Sequence, residues 1–526
     1  MCHWPLFSCP GSWQSCWATF GLALACGVNS PALATCTAGQ GLVTPCDSRE
    51  SVTSPPSLSA ADTVPVKPVV PATLHDFVNA KLNVMEFKER AGLMNLLQKW
   101  ESTDNPRISI AHFGDSHIQG GYAVEAARQR LQQLRGSAGR GMVFPYSIAR
   151  TYSQNDFKSS FQGEWTTANS MQTTPRLPLG ISGFVARTSQ SKADFELNFS
   201  NAFDPGAKKV RLLFRATHPN YEVTVTSGPI TLHKTLHDPF ARGQAVLEFD
   251  FPELAESLRF EVAAQSEEVG MFDVTGVSIE NTGGGLIYHN LGVGGSTYGS
   301  LLAQSYLEQE ISFIAPDMVI LDWGTNDLIY KNTVPENMED IVTKSIARVR
   351  AAYPQAAIVL TSVQDMNFRG RNISSTQKFS QSMRQWAVQN NCLYYDWFRV
   401  SGGEQAMIWW YAYGLANPDF IHLSPLGYRV KGELMAQALI NTLQELKLPS
   451  LGGAELWLTA AANDHPQSVL RWLKTTEPFP RRAEPVIAKA SAHISKNKKL
   501  LARVDQKPGA KSTLAKSPMN AKKTPH

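Results

Sequence analysis

Ile108-Ser109-Ile110-Ala111-His112-Phe113-Gly114-Asp115-Ser116-His117 is an apolar run that ends in a tight turn. The run reads as a buried strand, Gly-Asp-Ser as the turn, and Tyr122 to Leu134 as a helix. A serine at such a junction is carried on a rigid element with its hydroxyl exposed, where a nucleophile is useful. Gly-Asp-Ser is also an ordinary turn sequence. Its meaning depends on whether the chain supplies a base, an orienting acid and donors for an oxyanion.

Working outward, two kinds of pattern alternate. Residues 146–284 carry short runs of apolar-polar alternation, such as Tyr221-Glu222-Val223-Thr224-Val225 and Leu258-Arg259-Phe260-Glu261-Val262, separated by turn residues. This predicts an all-β module, a sandwich. From Leu286 the earlier pattern resumes. Strands are expected at 286–291, 318–321, 357–361 and 392–395, and helices at 301–314, 337–353, 375–390 and 425–446. Strands alternating with helices indicate a parallel sheet covered on both faces. The expected class is therefore α/β, interrupted by an inserted β-sandwich. The α/β domain occupies 73–145 and 285–447 and the insert 146–284. Gly139-Arg140-Gly141 is read as a turn, and one or two amphipathic helices are expected between Thr73 and Trp100.

The flanks differ in composition. Trp17 to Val28 is apolar and precedes Pro31-Ala32-Leu33-Ala34, a cleavage-like pattern, so residues 1–34 read as a signal peptide. A lipoprotein reading at Cys26 is an alternative. Either predicts a periplasmic or secreted protein. Six of seven cysteines precede residue 47, and Cys36 and Cys46 could pair or remain free thiols. Residues 35–72 read as a disordered linker, 448–477 as a helical extension and 478–526 as a disordered basic tail. Twelve Lys/Arg against two Asp/Glu lie between Arg481 and His526. That net +10 leaves −6 for the rest of a chain whose total is +4. A mildly acidic body argues against a nucleic-acid partner. The tail serves either solvation or contact with an anionic envelope surface.

Acyl transfer by a serine needs a base, an acid that fixes the base's tautomer, and preformed oxyanion donors. His422, in Asp419-Phe420-Ile421-His422, is the candidate base, with Asp419 as the acid three residues earlier. Gly295, in Gly292-Val293-Gly294-Gly295, and Asn326, in Gly324-Thr325-Asn326-Asp327, are candidate donors, with the Ser116 N–H as a third. Gly294 is the alternative to Gly295. The glycine cluster is not a dinucleotide fingerprint, because Thr297 replaces its third glycine. The absence of Gly-x-Ser-x-Gly around Ser116 argues against an α/β-hydrolase elbow. His112 reads as a core histidine. Trp323, Trp409, Trp410 and Tyr411 could stack on a sugar or pack a core.

In this order, Gly114-Asp115-Ser116, Gly295, Gly324-Thr325-Asn326-Asp327 and Asp419-x-x-His422 resemble the four blocks of the SGNH (GDSL-type) hydrolases. The resemblance covers about residues 105–145 and 285–447. It implies Ser116 as nucleophile, Asp419 and His422 as the rest of a triad, and Ser116, Gly295 and Asn326 as the oxyanion hole. No metal or organic cofactor is implied. His117 directly after the serine, together with the β insert, resembles the bacterial peptidoglycan O-acetylesterases, whose insert is carbohydrate-binding-like. The expected function is then a serine O-acetylesterase acting through an acetyl-serine on an acetylated glycan partner, O-acetylated peptidoglycan. The alternatives are an acetyltransferase using the same triad and a non-catalytic glycan-binding envelope protein.

Overall fold

The computed structural model of the protein describes residues 77–217, 220–236 and 245–447. The segments read as signal peptide, linker, helical extension and basic tail, and the cysteines before residue 47, lie outside the described residues.

Arg107–Gly114 is the first strand of a five-stranded parallel sheet. Gly285–Gly292 pairs on one side of it and Met318–Asp322 on the other, followed by Ala357–Thr361 and Leu393–Tyr395. In chain order the strands lie 2-1-3-4-5. This order places a switch point at the first strand, and in open parallel sheets ligands bind beyond the carboxyl ends at such a point. Successive residues alternate between two cores. Ile110, Ile320 and Val359 share one core with Val124 and Leu131 of helix Tyr122–Arg135 and Leu434 of helix Pro425–Leu446. Ala111, Leu321 and Leu360 share the other with Ile311 of helix Leu307–Ile314, Ile346 of helix Met338–Ala352 and Met383 of helix Ser375–Gln389. Burial on both faces explains why these strands read as unbroken apolar runs.

The insert is two antiparallel sheets. One runs Val246–Asp250, Ala207–Ala216, Phe272–Asn281, Phe184–Thr188 and Thr166–Asn169. The other runs Phe157–Gln162, Lys192–Phe199, Ser257–Ala264, Tyr221–Ser227 and Ile230–Thr235. Inward residues of both form one core, which includes Phe195, Val223 and Phe260 from the second sheet and Leu212, Phe214 and Phe272 from the first. The rings of Tyr221 and Phe272 meet across it, 5.2 Å between centroids.

One expectation is corrected. Gly139-Arg140-Gly141 is not a turn. Gly139–Val143 is a strand that pairs with Phe272–Asn281, so β structure begins before residue 146. Its glycines disguise it, since they are turn residues by habit. Between Thr73 and Trp100 the described part holds one α-helix, Ala91–Glu101. A short 3₁₀ turn, Ala80–Leu82, and an isolated bridge between Glu86 and Tyr394 precede it.

The insert and the α/β domain share buried ionic contacts. Glu280 receives Arg107 from the start of the first strand at 2.6 Å and Arg211 at 3.4 Å. Glu310 of helix Leu307–Ile314 accepts from Ile181 N–H and Thr275 Oγ1 and pairs with Arg215 of the insert at 3.4 Å. Burying these carboxylates is tolerable because each is met by donors. No helix among the described residues is long and apolar enough to cross a membrane.

Candidate active site

Gly114, Gly292 and Asp322 lie side by side in register at the carboxyl ends of three adjacent strands. The chain leaves each in a turn, and these turns carry Ser116, Gly295 and Asn326.

Asp115 caps the short helix Ser116–Gln119 and accepts from His117 N–H at 2.9 Å. Burial pushes its carboxyl up to about 7, against the opposing effect of that hydrogen bond. Asp115 therefore serves the turn. Ser116 Oγ is 2.9 Å from His422 Nε2. His422 Nδ1 is 2.7 Å from Asp419 Oδ2, while Asp419 Oδ1 accepts from the N–H groups of Ile421 and His422, each at 3.0 Å. Phe420 takes φ +57°, which folds the loop back so that the carboxylate meets the imidazole. The hydrogen bond that His422 gives to Asp419 raises the His422 pKa above its ordinary value, outweighing burial. Burial pushes the Asp419 carboxyl up, but the hydrogen bonds from His422 and the backbone leave it below the usual range.

The two candidate glycines differ in what their N–H groups meet. Gly294 N–H donates to Gln119 Oε1 at 2.5 Å and is occupied. Gly295 N–H makes no hydrogen bond among the described residues. Gly295 takes φ +81°, a conformation that favours glycine, and the residue is exposed. Asn326 Nδ2 donates to Ser296 O at 2.9 Å, which fixes the amide and leaves its second hydrogen free for a substrate oxygen. Asn326→Ala is expected to lower kcat by about 10²–10³-fold with little change in KM, the usual cost of one such donor. Steady-state kinetics on a chromogenic acetate ester checks this.

His117 does not reach the surface. It is buried and stacked on His422, with ring centroids 5.1 Å apart and planes 23° apart. Trp397 Nε1–H, which can only donate, reaches Gln364 Oε1 at 3.2 Å. That turns the Gln364 amide nitrogen towards Ile421 O and His117 Nε2 at 3.2 and 3.1 Å. His117 Nε2 must then accept, so Nδ1 carries the proton and donates to Tyr428 Oη at 2.9 Å. Burial first, and the nearby charges of His422 and Lys431 second, hold His117 neutral, well below the ordinary histidine pKa. His422 thus rests on an uncharged ring of fixed orientation.

Beneath the site, Asp322 Oδ2 accepts from Lys431 Nζ at 2.8 Å and His112 Nε2 at 3.3 Å, and Oδ1 accepts from Thr361 Oγ1 at 2.8 Å. His112 Nδ1 meets Tyr288 Oη at 3.0 Å. Burial opposes the Asp322 charge, but Lys431 and His112 hold its carboxyl well below the usual range. Lys431 is 2% exposed. Lys431→Met is expected to destabilise the protein by about 3–5 kcal/mol, because Asp322 is left buried and uncompensated. Lys431→Met with Asp322→Leu should recover only part of that loss, because the charge is gone but His112 Nε2 and Thr361 Oγ1 lose their acceptor. Urea unfolding of the three proteins checks it.

Ser116, Gly295, Asn326, Asp419 and His422 thus come together. Trp323 and Trp410 are fully buried and cannot stack on a sugar, and Trp409 and Tyr411 are partly buried and pack against a core. Gln119, Gln364 and Tyr428 were missed by sequence reasoning. Gln119 and Gln364 carried a usable signal, since each is a polar residue just beyond the carboxyl end of a predicted strand. Among the described residues no group of three or more His, Cys, Asp or Glu side chains could hold a metal ion.

Residues 277–430 match the model of the GDSL-like lipase/acylhydrolase family. The matched span contains Gly295, Asn326, Asp419 and His422 but not Ser116, which the insert separates from it. No curated protein matches the chain. A solved structure of a peptidoglycan O-acetylesterase in action is 21% identical. The match covers 68% of this chain and 97% of that one, with a TM-score of 0.55. That likeness is one of fold. A family two carbohydrate esterase from Cellvibrio japonicus is 12% identical over 55% of this chain and 99% of its own, with a TM-score of 0.23.

Proposed function

We propose that this chain, a carboxylic ester hydrolase with a GDSL-like lipase/acylhydrolase domain, removes acetyl groups from an extracytoplasmic glycan, O-acetylated peptidoglycan. The observation that carries the reading is the relay from Ser116 Oγ to His422 Nε2 at 2.9 Å and from His422 Nδ1 to Asp419 Oδ2 at 2.7 Å. Ser116 Oγ attacks the acetyl carbonyl as His422 Nε2 takes its proton. The tetrahedral oxyanion is met by the Gly295 and Ser116 N–H groups and the free Asn326 amide hydrogen. The bond to the sugar oxygen breaks, and that oxygen takes the proton from His422. Water then attacks the acetyl-Ser116 carbonyl and gives its proton to His422. Acetate leaves as the proton returns to Ser116.

The glycan assignment is supported by the inserted β-sandwich and by the fold shared with a peptidoglycan O-acetylesterase. The extracytoplasmic location is supported by the apolar run and cleavage-like pattern before residue 35. Acetate released from O-acetylated peptidoglycan, acetylated xylan and a chromogenic acetate ester tests the proposal. Release from peptidoglycan is expected. Release from xylan but not peptidoglycan would replace the polymer, and no release from any of the three would remove the esterase assignment.

A further inference from the structure

Two exposed apolar side chains of the insert crowd the oxyanion turn. Met171 stands over Gly295 so closely that a Cβ on that glycine would lie 2.8 Å from its Sδ. Tyr152 Oη would lie 2.8 Å from a Cβ on Gly294. Met171 and Tyr152 are 55% and 49% exposed, so neither is needed for a core. The backbone of each is nevertheless held. Met171 lies in a turn closed by Gln172 N–H to Asn169 O at 3.2 Å, and its own N–H donates to Asn169 Oδ1 at 3.1 Å. Tyr152 is fixed through Gln119, whose Nε2 donates to Tyr152 O at 2.7 Å and whose Oε1 accepts from Gly294. One side chain thus ties the nucleophile's helix, the oxyanion turn and the insert together.

The tetrahedral carbon formed on Ser116 has three other substituents. The oxyanion points to Gly295 and Asn326. The leaving oxygen must reach His422 to take its proton. The acyl substituent takes the remaining direction, bounded by whatever covers the oxyanion turn away from His422. We infer that the inserted module walls the acyl side of the site, and that Met171 and Tyr152 restrict the substrate to esters of short acyl groups. The inference rests on the esterase reading above. It gives the insert a part in the reaction itself, whatever glycan it also docks.

The test compares p-nitrophenyl acetate, propionate and butyrate, which share one leaving group, on wild type, Ser116→Ala, Met171→Ala, Tyr152→Ala and Met271→Ala. Met271 is a similarly exposed methionine of the insert, at 44%. The butyrate-to-acetate ratio of kcat/KM is expected to rise by about 10-fold or more in Met171→Ala, the scale of one methylene in an apolar pocket. Tyr152→Ala should change it in the same direction, and Met271→Ala should leave it at the wild-type value. Thermal unfolding of each variant confirms that it is folded. A ratio unchanged in both Met171→Ala and Tyr152→Ala, with hydrolysis still dependent on Ser116, overturns the wall alone. Hydrolysis that survives Ser116→Ala overturns the Ser116 mechanism on which the inference rests.

Discussion

Ser116→Ala is expected to lower kcat by roughly 10⁶-fold, and His422→Ala by about as much, because nucleophile and base act as one unit. The double variant should be no worse than either single one. The reason lies in the 2.9 Å contact between Ser116 Oγ and His422 Nε2. Without the base the hydroxyl keeps its proton and is a weak nucleophile; without the hydroxyl the base has nothing to activate. Residual turnover would come from the Gly295 and Asn326 donors, which neither change removes. Single-turnover kinetics with an activated acetate ester measures this. Losses that multiply in the double variant would show that the two residues act separately.

Asp419→Asn is expected to cost about 10⁴-fold in kcat, through the wrong imidazole tautomer. Asp419 Oδ1 already accepts two backbone N–H groups, from Ile421 and His422. Those donors would claim the oxygen of an asparagine amide and turn its NH₂ towards His422 Nδ1. Nδ1 must then accept, the proton moves to Nε2, and Nε2 can no longer take a proton from Ser116. The same change alters the pH profile. His422 must be neutral to act as base, so activity rises with pH through its pKa, which Asp419 raises above the ordinary value. Removing the carboxylate lowers that pKa, and the acid limb of kcat/KM moves to lower pH. A limb that stays in place, or moves to higher pH, would show that another group governs it.

Much of this was legible in the sequence because the signals were local. The closing helix was read as Pro425 to Leu446 and spans those residues, since Ser424 caps it through Gly427 N–H at 3.2 Å and Pro425 opens it. The alternation of residues 146–284 announced β structure, and unbroken apolar runs announced the parallel sheet. What escaped depends on contacts between distant segments. Gly139-Arg140-Gly141 resembles a turn until its pairing with Phe272–Asn281 is known. Gly294 and Gly295 are equivalent as letters and differ only because Gln119 occupies one N–H. Nothing in the sequence near His117 shows what its ring packs against. Its stacking on His422 depends on Gln364, Trp397 and Tyr428, which lie far along the chain. Met171 carries no motif, and its position over Gly295 follows from how the insert folds back on the α/β domain.

The most direct measurement is rapid acid quench of the wild-type protein during turnover of an activated acetate ester, followed by peptide mass spectrometry. An acetyl group on the peptide bearing Ser116, formed and lost on the timescale of turnover and absent in Ser116→Ala, is the predicted result. Turnover at the wild-type rate with the acetyl group on another residue, or in a protein lacking Ser116, would contradict it.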